Sequence, residues 1–338
     1  MEKKVVIVLT VLSLTVVGIC ETWRLGSDQH WQKVADANAI GSQLTDDSFG
    51  SAASEAKQFA SSGNHGKAKK AYANLKKNYP QISGPDYDAY VKAELFYAKR
   101  KYAKAAAAYS DLLEKYPESS LRQAALEREY QIGSAFLHGQ KRTVLGIFKL
   151  HAYEEGTEIM TKIADIAGDA PIAKKAIETL ARSREKRGAY DEAYLAWADY
   201  QNRWPTGETG KESLLGMARS LEQDYKGPKF DGKVLESSKS YYSEYAERYP
   251  ESAQQFGLTD KVEELESRLA EKELLTADYY AKTESYAAAD IYYQKIIDQW
   301  PDTVSAQKAQ EKLPQIKKLL VDSQVPKKKK FNWKGLFL

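Results

Sequence analysis

Cysteine is nearly absent from this chain of 338 residues, since it occurs only once, at Cys20. A single cysteine excludes an internal disulfide framework and a zinc site built on several thiolates. Four histidines are present, and none lies at metal-ligand spacing to another or to the cysteine. We therefore expect neither a metal nor any other cofactor.

Motifs that carry catalysis are also lacking. The chain has no HExxH, no glycine-rich phosphate loop, no nucleophile elbow and no glycosidase-like carboxylate pair. Catalysis would need residues that converge from separate parts of the fold, so we do not expect an enzyme. The 50 lysines and arginines nearly balance the 47 aspartates and glutamates, and a net charge of +3 gives no indication of nucleic-acid binding.

The one long apolar run stands at the N-terminus. Residues 1–4 are polar and basic, and the following 15 residues, 5–19, are almost wholly apolar. This pattern is typical of an export signal and is shorter than the ~20 residues of a membrane-spanning helix. Cys20 follows directly, as in bacterial lipoprotein signals, which this arrangement resembles and in which that cysteine is acylated. We predict a lipoprotein signal over residues 1–20 with lipidation at Cys20, and a polar, flexible tether over 21–50; a signal cleaved elsewhere and an uncleaved anchor are the alternatives.

A pattern that ends in an aromatic-proline pair recurs along the chain. Each copy has a small residue twelve positions before the proline, an aromatic residue eight before it and a large residue, apolar or tyrosine, five before it. In residues 285–301 these are Ala289, Tyr293 and Ile296, which share one helix face because they are four and three residues apart. Proline ends such a helix because it disfavours helical geometry in the preceding residue. The other strong copies close at Pro80, Pro117, Pro205 and Pro250, and a weaker copy closes at Pro171.

This pattern resembles the tetratricopeptide repeat, a helix–turn–helix unit of about 34 residues. We predict an all-α tetratricopeptide-repeat solenoid of about six repeats over residues 51–301. A capping helix over 302–322 would begin at Asp302 or Thr303, and Pro314 would kink or split it. The remaining residues, 323–338, form a basic and aromatic tail that would lie on an anionic surface, fill a partner's groove or stay a disordered solubilising end.

Two repeats are longer than the others between their paired helices. The extra residues are 138–151 in the third repeat and 224–233 in the fifth. Insertions in repeat arrays fall on loops and often carry binding. We take Arg142, Leu145 and Phe148 as candidate contacts of the first insert with a partner or a membrane surface. The alternative is that its apolar residues fold back onto the hairpin or lengthen a helix.

The inner groove is the expected binding surface, since the first helix of each repeat lines it in this repeat type. In the second repeat Tyr87, Tyr90, Glu94 and Tyr97 follow spacings of three, four and three, so they form one stripe. Aromatic stripes of this kind suit an extended or helical peptide. The alternative is that these tyrosines pack against the neighbouring repeat. Related positions in other repeats are Lys57, Arg182 and Asp278.

The chain as a whole resembles the BamD outer-membrane assembly lipoproteins, also called the ComL or YfiO family. The resemblance rests on Cys20 after an apolar start, on the repeat segments 94–119 and 279–303, and on EYQIGSAFL at 129–137. It implies a non-enzymatic scaffold that is lipid-anchored to the periplasmic face of the outer membrane. It further implies binding to a BamA-like barrel-inserting protein and to unfolded outer-membrane proteins, with Tyr87, Tyr90, Glu94 and Tyr97 as substrate contacts.

Periplasmic repeat proteins of the YbgF/CpoB type share the tyrosine-proline endings. A general periplasmic adaptor for cell-wall or envelope complexes is therefore the alternative function, with the periplasm as the alternative location. A module that only recruits for an associated enzyme is a third candidate.

Overall fold

The computed structural model describes residues 22–25, 31–34, 47–144 and 148–324. Cys20, Leu145 and the predicted tail beyond 324 lie outside the described residues. The described residues contain fourteen α-helices and two short antiparallel strand pairs. They divide into unit 1, which ends at Ala125, and unit 2, which begins at Leu126, with the boundary inside one helix.

Unit 1 contains two helical pairs. The first is α1 (Asp47–Ser61) with α2 (His65–Asn78), and the second is α3 (Pro85–Ala98) with α4 (Tyr102–Lys115). Helix α2 begins where the Asn64 side chain accepts a hydrogen bond from the backbone N–H of Lys67 at 3.2 Å, which is a standard N-cap. The small, aromatic and apolar positions of the repeat are buried on α2 and α4, as the sequence pattern predicts.

Unit 2 contains the remaining pairs, beginning with α5 (Arg122–Leu137) and α6 (Tyr153–Ala167). Successive helices are packed in chain order, and the pairs are joined by short turns. The other helices of unit 2 are α7 (Pro171–Lys186), α8 (Tyr190–Arg203), α9 (Gly207–Asp224), α10 (Lys233–Arg248), the short α11 (Pro250–Gln255), α12 (Leu258–Lys282), α13 (Tyr286–Gln299) and α14 (Val304–Gln324). The described residues therefore form six helical pairs, the short α11 and a final helix, which confirms the all-α repeat prediction.

Two glycines allow neighbouring helices of unit 2 to approach closely. A Cβ on Gly133 of α5 would lie 2.9 Å from Ile159 of α6, and a Cβ on Gly216 of α9 would lie 2.3 Å from the Trp197 ring of α8. These are the small and large partners that the repeat pattern requires. Trp197 is fully buried because α9 lies directly on its ring.

Four details differ from or refine the predictions. The predicted tether contains a strand pair, β1 (Thr22–Leu25) with β2 (Trp31–Val34), and α1 already begins at Asp47. The first insert is a hairpin, β3 (Lys141–Val144) with β4 (Phe148–His151), rather than a longer helix. The proline that closes the weaker copy of the pattern, Pro171, is the first residue of α7, where its missing N–H costs nothing.

The last helix lies within two residues of the predicted range, 302–322, at each end. Thr303 caps it as predicted, because its hydroxyl accepts a hydrogen bond from the N–H of Ala306 at 3.2 Å. Pro314 does not split the helix, which continues to Gln324. Leu313 and Ile316, on either side of the proline, are buried in the cluster formed with α12 and α13. This packing offsets the hydrogen bond that proline removes.

A search of the described helices for one long and apolar enough to cross a membrane finds none.

Candidate functional site

The predicted binding stripe on α3 lies mostly in the core of unit 1. Tyr87 is 5% exposed, Tyr90 is 4% exposed and Glu94 is fully buried. The expectation that these three side chains face a groove is therefore wrong, and the packing alternative describes them. Tyr97 on the same helix is half-buried, and its ring meets the edge of Tyr102 at 5.2 Å between centroids.

The buried carboxylate explains this placement. Glu94 accepts hydrogen bonds from the hydroxyls of Tyr72 at 2.8 Å and Tyr109 at 2.6 Å, which are the pattern's aromatic residues on α2 and α4. Tyr87 donates to the backbone oxygen of Tyr72 at 2.9 Å, and burial raises the pKa of Tyr87 to about 12. A buried tyrosine needs an acceptor for its hydroxyl, so the stripe provides the hydrogen-bond acceptor for the aromatic residues of two repeats.

The same arrangement recurs in three pairs of unit 2, where an aromatic residue of α8, α10 or α13 donates to a carboxylate of the preceding helix. The Trp197 indole donates to Glu185 at 2.9 Å, Tyr242 donates to Glu222 at 3.2 Å, and Tyr293 donates to Asp278 at 2.5 Å. Burial first, and then the neighbouring carboxylate, raise the pKa of Tyr242 and of Tyr293.

Each of these carboxylates also binds a cation on the helix that follows its pair, or that follows α11 in the case of Glu222. Glu185 pairs with Arg219 of α9 at 2.8 Å and Glu222 pairs with Arg268 of α12 at 3.2 Å. Asp278 accepts from Lys312 of α14 at 2.7 and 2.8 Å. One carboxylate thus joins three helices, and the predicted contact Asp278 is one of these joints. We call the three sets the carboxylate joints.

Clefts lie between the first helices of unit 2. One, of about 390 Å³, is lined by Arg182, Lys186, Tyr190 and Arg219. Another, of about 370 Å³, lies on the other side of α7 and shares Arg182 and Lys186. A third, of about 770 Å³, lies between α12 and α14 and contains Leu274, Leu275, Asp278, Val304 and Lys312. We call the first two clefts together the α7 groove.

Arg182 is a predicted contact that lies at the surface. Its guanidinium pairs with Glu178 at 2.9 Å and Glu212 at 2.7 Å, and it lies 5.6 Å from the centroid of the Trp197 ring. Arg182 is exposed, so these partners orient the side chain without burying it. The predicted contact Lys57 lies on α1 and is half-buried.

The candidate contacts of the first insert are only partly described. Arg142 lies on β3 and pairs with Glu155 of α6, which ties the hairpin to the following helix. Phe148 begins β4 and pairs in register with Val144. The neighbouring His151 ring stacks on Tyr153 at 5.1 Å between centroids.

Sequence reasoning missed the carboxylates Glu185 and Glu222 and the cations of the joints. Glu94 and Asp278 each stand twenty-three residues before a closing proline, but Glu185 stands twenty before and Glu222 twenty-eight before. The variable distance hides the pattern. The usable signal was chemical, because each buried tyrosine or tryptophan of the repeat requires an acceptor. Among the described residues, no group of three or more acidic, histidine or cysteine side chains is arranged to hold a metal ion.

Comparisons with known proteins point to one family and to the repeat. The model of the YfiO family, described as outer membrane lipoprotein, matches residues 151–331, and a tetratricopeptide-repeat model matches residues 90–119. A search of curated proteins finds no match.

Solved structures that are similar include the tetratricopeptide-repeat domain of P58(IPK), at 14% identity and a TM-score of 0.21, covering 82% of this chain and 67% of that one. Human IFIT1, a dimer with m7Gppp-AAAA, is similar at 14% identity and a TM-score of 0.20, covering 77% of this chain and 70% of that one. At TM-scores this low, neither structure adds to the description of the helical pairs.

Proposed function

This chain belongs to the YfiO family of outer membrane lipoproteins, and from that premise we propose that it is a non-enzymatic scaffold of outer-membrane β-barrel assembly. In this proposal Cys20 carries the lipid that holds the protein on the periplasmic face of the outer membrane. The repeats then bind a BamA-like partner and unfolded barrel proteins.

The α7 groove is the observation that carries the proposal. Arg182, Lys186 and Arg219 line it together with Tyr130 and Tyr190. Guanidinium groups bind carboxylates with two parallel hydrogen bonds, and tyrosines add apolar contact area at little entropic cost. The groove therefore suits a partner segment that presents carboxylates beside aromatic or aliphatic side chains.

The partners of Arg182 favour exchange with such a segment. Its ion pairs with Glu178 and Glu212 join exposed or half-exposed side chains, and pairs of this kind contribute only about 0–1 kcal/mol. A partner carboxylate that replaces one of them meets a guanidinium already held in place over Trp197. Such preorganisation lowers the entropic cost of binding.

The groove is tested by purifying tagged protein from its native membrane and identifying the proteins recovered with it. The double variant Arg182→Glu with Lys186→Glu should recover at least about tenfold less barrel-assembly protein than the wild type, since charged contacts at an interface are worth 2 kcal/mol or more when reversed. A matched control, Lys317→Glu with Lys318→Glu on the exposed face of α14, should recover the wild-type amount. Recovery of peptidoglycan synthases without any barrel-assembly protein would instead support the general envelope adaptor.

The anchor is tested separately with Cys20→Ser. Loss of membrane attachment with unchanged helicity is expected, because stable anchoring of a peripheral protein needs acyl chains. Unchanged attachment would refute lipidation at Cys20.

A further inference from the structure

The turns between paired helices in unit 1 are uniformly basic. Residues 61–70 and 97–104 contain seven lysines and arginines and no carboxylate. The equivalent turn between α7 and α8 includes Glu185 and Asp191, and that between α12 and α13 includes Glu284. The repeat therefore does not require positive charge at this turn, and its concentration in unit 1 needs another explanation.

The fold brings the two basic turns together. A Cβ on Gly63, in the first turn, would lie 3.0 Å from the guanidinium of Arg100, in the second. His65 belongs to the first turn, and burial together with the nearby Lys99 and Lys69 cations lowers the pKa of His65. We call this surface the basic edge, and it comprises Lys67, Lys69, Lys99, Arg100, Lys101 and Lys104.

The cations of the edge face solvent. All six are exposed, and in the described part of the chain no ion pair joins Lys69, Lys99 or Lys101 to a carboxylate. The backbone fixes their direction, since Arg100 has a left-handed φ of 57° and the N–H of Lys101 donates to the oxygen of Phe96 at 3.0 Å. A surface that concentrates unpaired cations at fixed positions is built to meet negative charge.

Two half-buried tyrosines adjoin the cations. Tyr97 packs on Tyr102, and the Tyr102 hydroxyl accepts a hydrogen bond from Arg100 at 2.7 Å. Tyrosines beside basic residues are typical of surfaces at the interface of a lipid bilayer, where the ring lies at headgroup level.

We propose that the basic edge of unit 1 docks on the anionic phospholipid surface of the membrane that carries the protein. The proposal rests on the membrane attachment in the proposed function and extends it from a lipid on a tether to a second, oriented contact. Helix α1 begins only 27 residues after Cys20, so the edge remains within reach of the bilayer. Unit 1 would then lie against the lipid.

The test measures acetylation rates of individual lysines in the full-length acylated protein, in excess vesicles. One vesicle type contains phosphatidylglycerol and phosphatidylethanolamine, and the other contains only phosphatidylcholine. We expect Lys69, Lys99 and Lys101 to react at least about fivefold more slowly on the anionic vesicles. Each cation near an anionic surface strengthens membrane binding by about that factor. Lys317 and Lys318 of α14 should react equally on both.

A charge-reversed variant completes the test. Lys69→Glu, Lys99→Glu and Lys101→Glu together should abolish the protection of Lys67 and Lys104 while the protein remains on the vesicles. The matched control, Lys308→Glu, Lys317→Glu and Lys318→Glu, changes the net charge equally and should keep that protection. Equal rates on both vesicle types would overturn the proposal and leave an acidic protein as the partner that fits the charge. Failure of the lipid anchor gives a different result, namely loss of co-sedimentation with both vesicle types. The lysine acetylation rates in excess vesicles still show whether the basic edge binds anionic lipid.

Discussion

Replacement of Gly216 by alanine should destabilise unit 2, although alanine is the better helix former. Gly216 lies in the interior of α9, where the change alone would stabilise by about 1 kcal/mol. The added Cβ, however, would lie 2.3, 2.4 and 2.6 Å from three ring atoms of Trp197, which is fully buried. Ordinary contact requires more than 3.4 Å, so the ring or the helix must move by about an ångström.

The magnitude follows from what this movement disrupts. Overpacking costs about 1–3 kcal/mol, and displacement of the Trp197 indole from Glu185 weakens a charged hydrogen bond worth about 1.5–3 kcal/mol. After the gain in helix propensity, the net loss is about 2–4 kcal/mol. For a unit of this size that corresponds to a fall in Tm of roughly 5–15 °C.

Differential scanning calorimetry of Gly216→Ala measures this loss directly. Gly66→Ala is the matched control, since Gly66 lies in α2 and a Cβ there would meet nothing within 4 Å. The control should leave Tm unchanged or slightly raised. Adding Trp197→Phe to Gly216→Ala should recover part of the lost stability, because the smaller ring makes room for the methyl group. A Gly216→Ala protein as stable as the wild type would refute the close approach of α9 to α8.

Three further predictions test the joints and turns. Glu222→Gln leaves Arg268 and Lys261 without their shared carboxylate and should cost about 1–3 kcal/mol in denaturant unfolding, more than the same change at the exposed Glu263. Glu284→Gly should raise Tm by about 2–4 °C, because Glu284 adopts a φ of 59° that costs a non-glycine residue about 1 kcal/mol; a lower Tm would contradict this. Stability should fall as the pH rises from 10 towards 12. Burial raises the pKa of Tyr87 to about 12 in the folded protein, so in this range the unfolded chain loses the hydroxyl proton more readily than the folded one. Tyr87→Phe should therefore make the denaturation midpoints at pH 9 and pH 11 more alike.

The helical pairs could be predicted because their signal is local. Ala289, Tyr293 and Ile296 stand at fixed distances from a closing proline, and all three are buried together on α13. Proline and the helical period act within one element, so a single sequence reveals them. The cap at Thr303 is local for the same reason.

The strand pairs and the course of α14 could not be predicted in this way. Each strand has only four residues, and a run that short does not distinguish a strand from a helix by its periodicity. Pro314 remains inside a helix because α12 and α13 bury the residues around it, and that tertiary contact outweighs the local preference. Lipidation at Cys20 lies outside the described residues and stays a prediction.

The prediction of binding residues was wrong on α3, where the same sequence pattern fits both a peptide groove and a packed helix. A stripe of tyrosines at spacings of three and four fits a peptide groove, and it fits a helix packed between two neighbours equally well. Burial of Glu94 decides for packing, because two tyrosine hydroxyls from α2 and α4 converge on it. Periodicity alone could not make that choice, since it places residues on a face without saying what covers the face.

Exposed and packed residues alternate along the last turns of α7. Ala181 and Ser183 are buried, Glu185 holds Trp197 and Arg219, and Arg182 and Lys186 are exposed. The two exposed cations stand four residues apart, so they share one face of the helix, and Glu185 and Arg219 of the joint line the same cleft. Substitution there should alter what the groove binds while costing little stability, whereas substitution of Glu185 should loosen α8 and α9 at once.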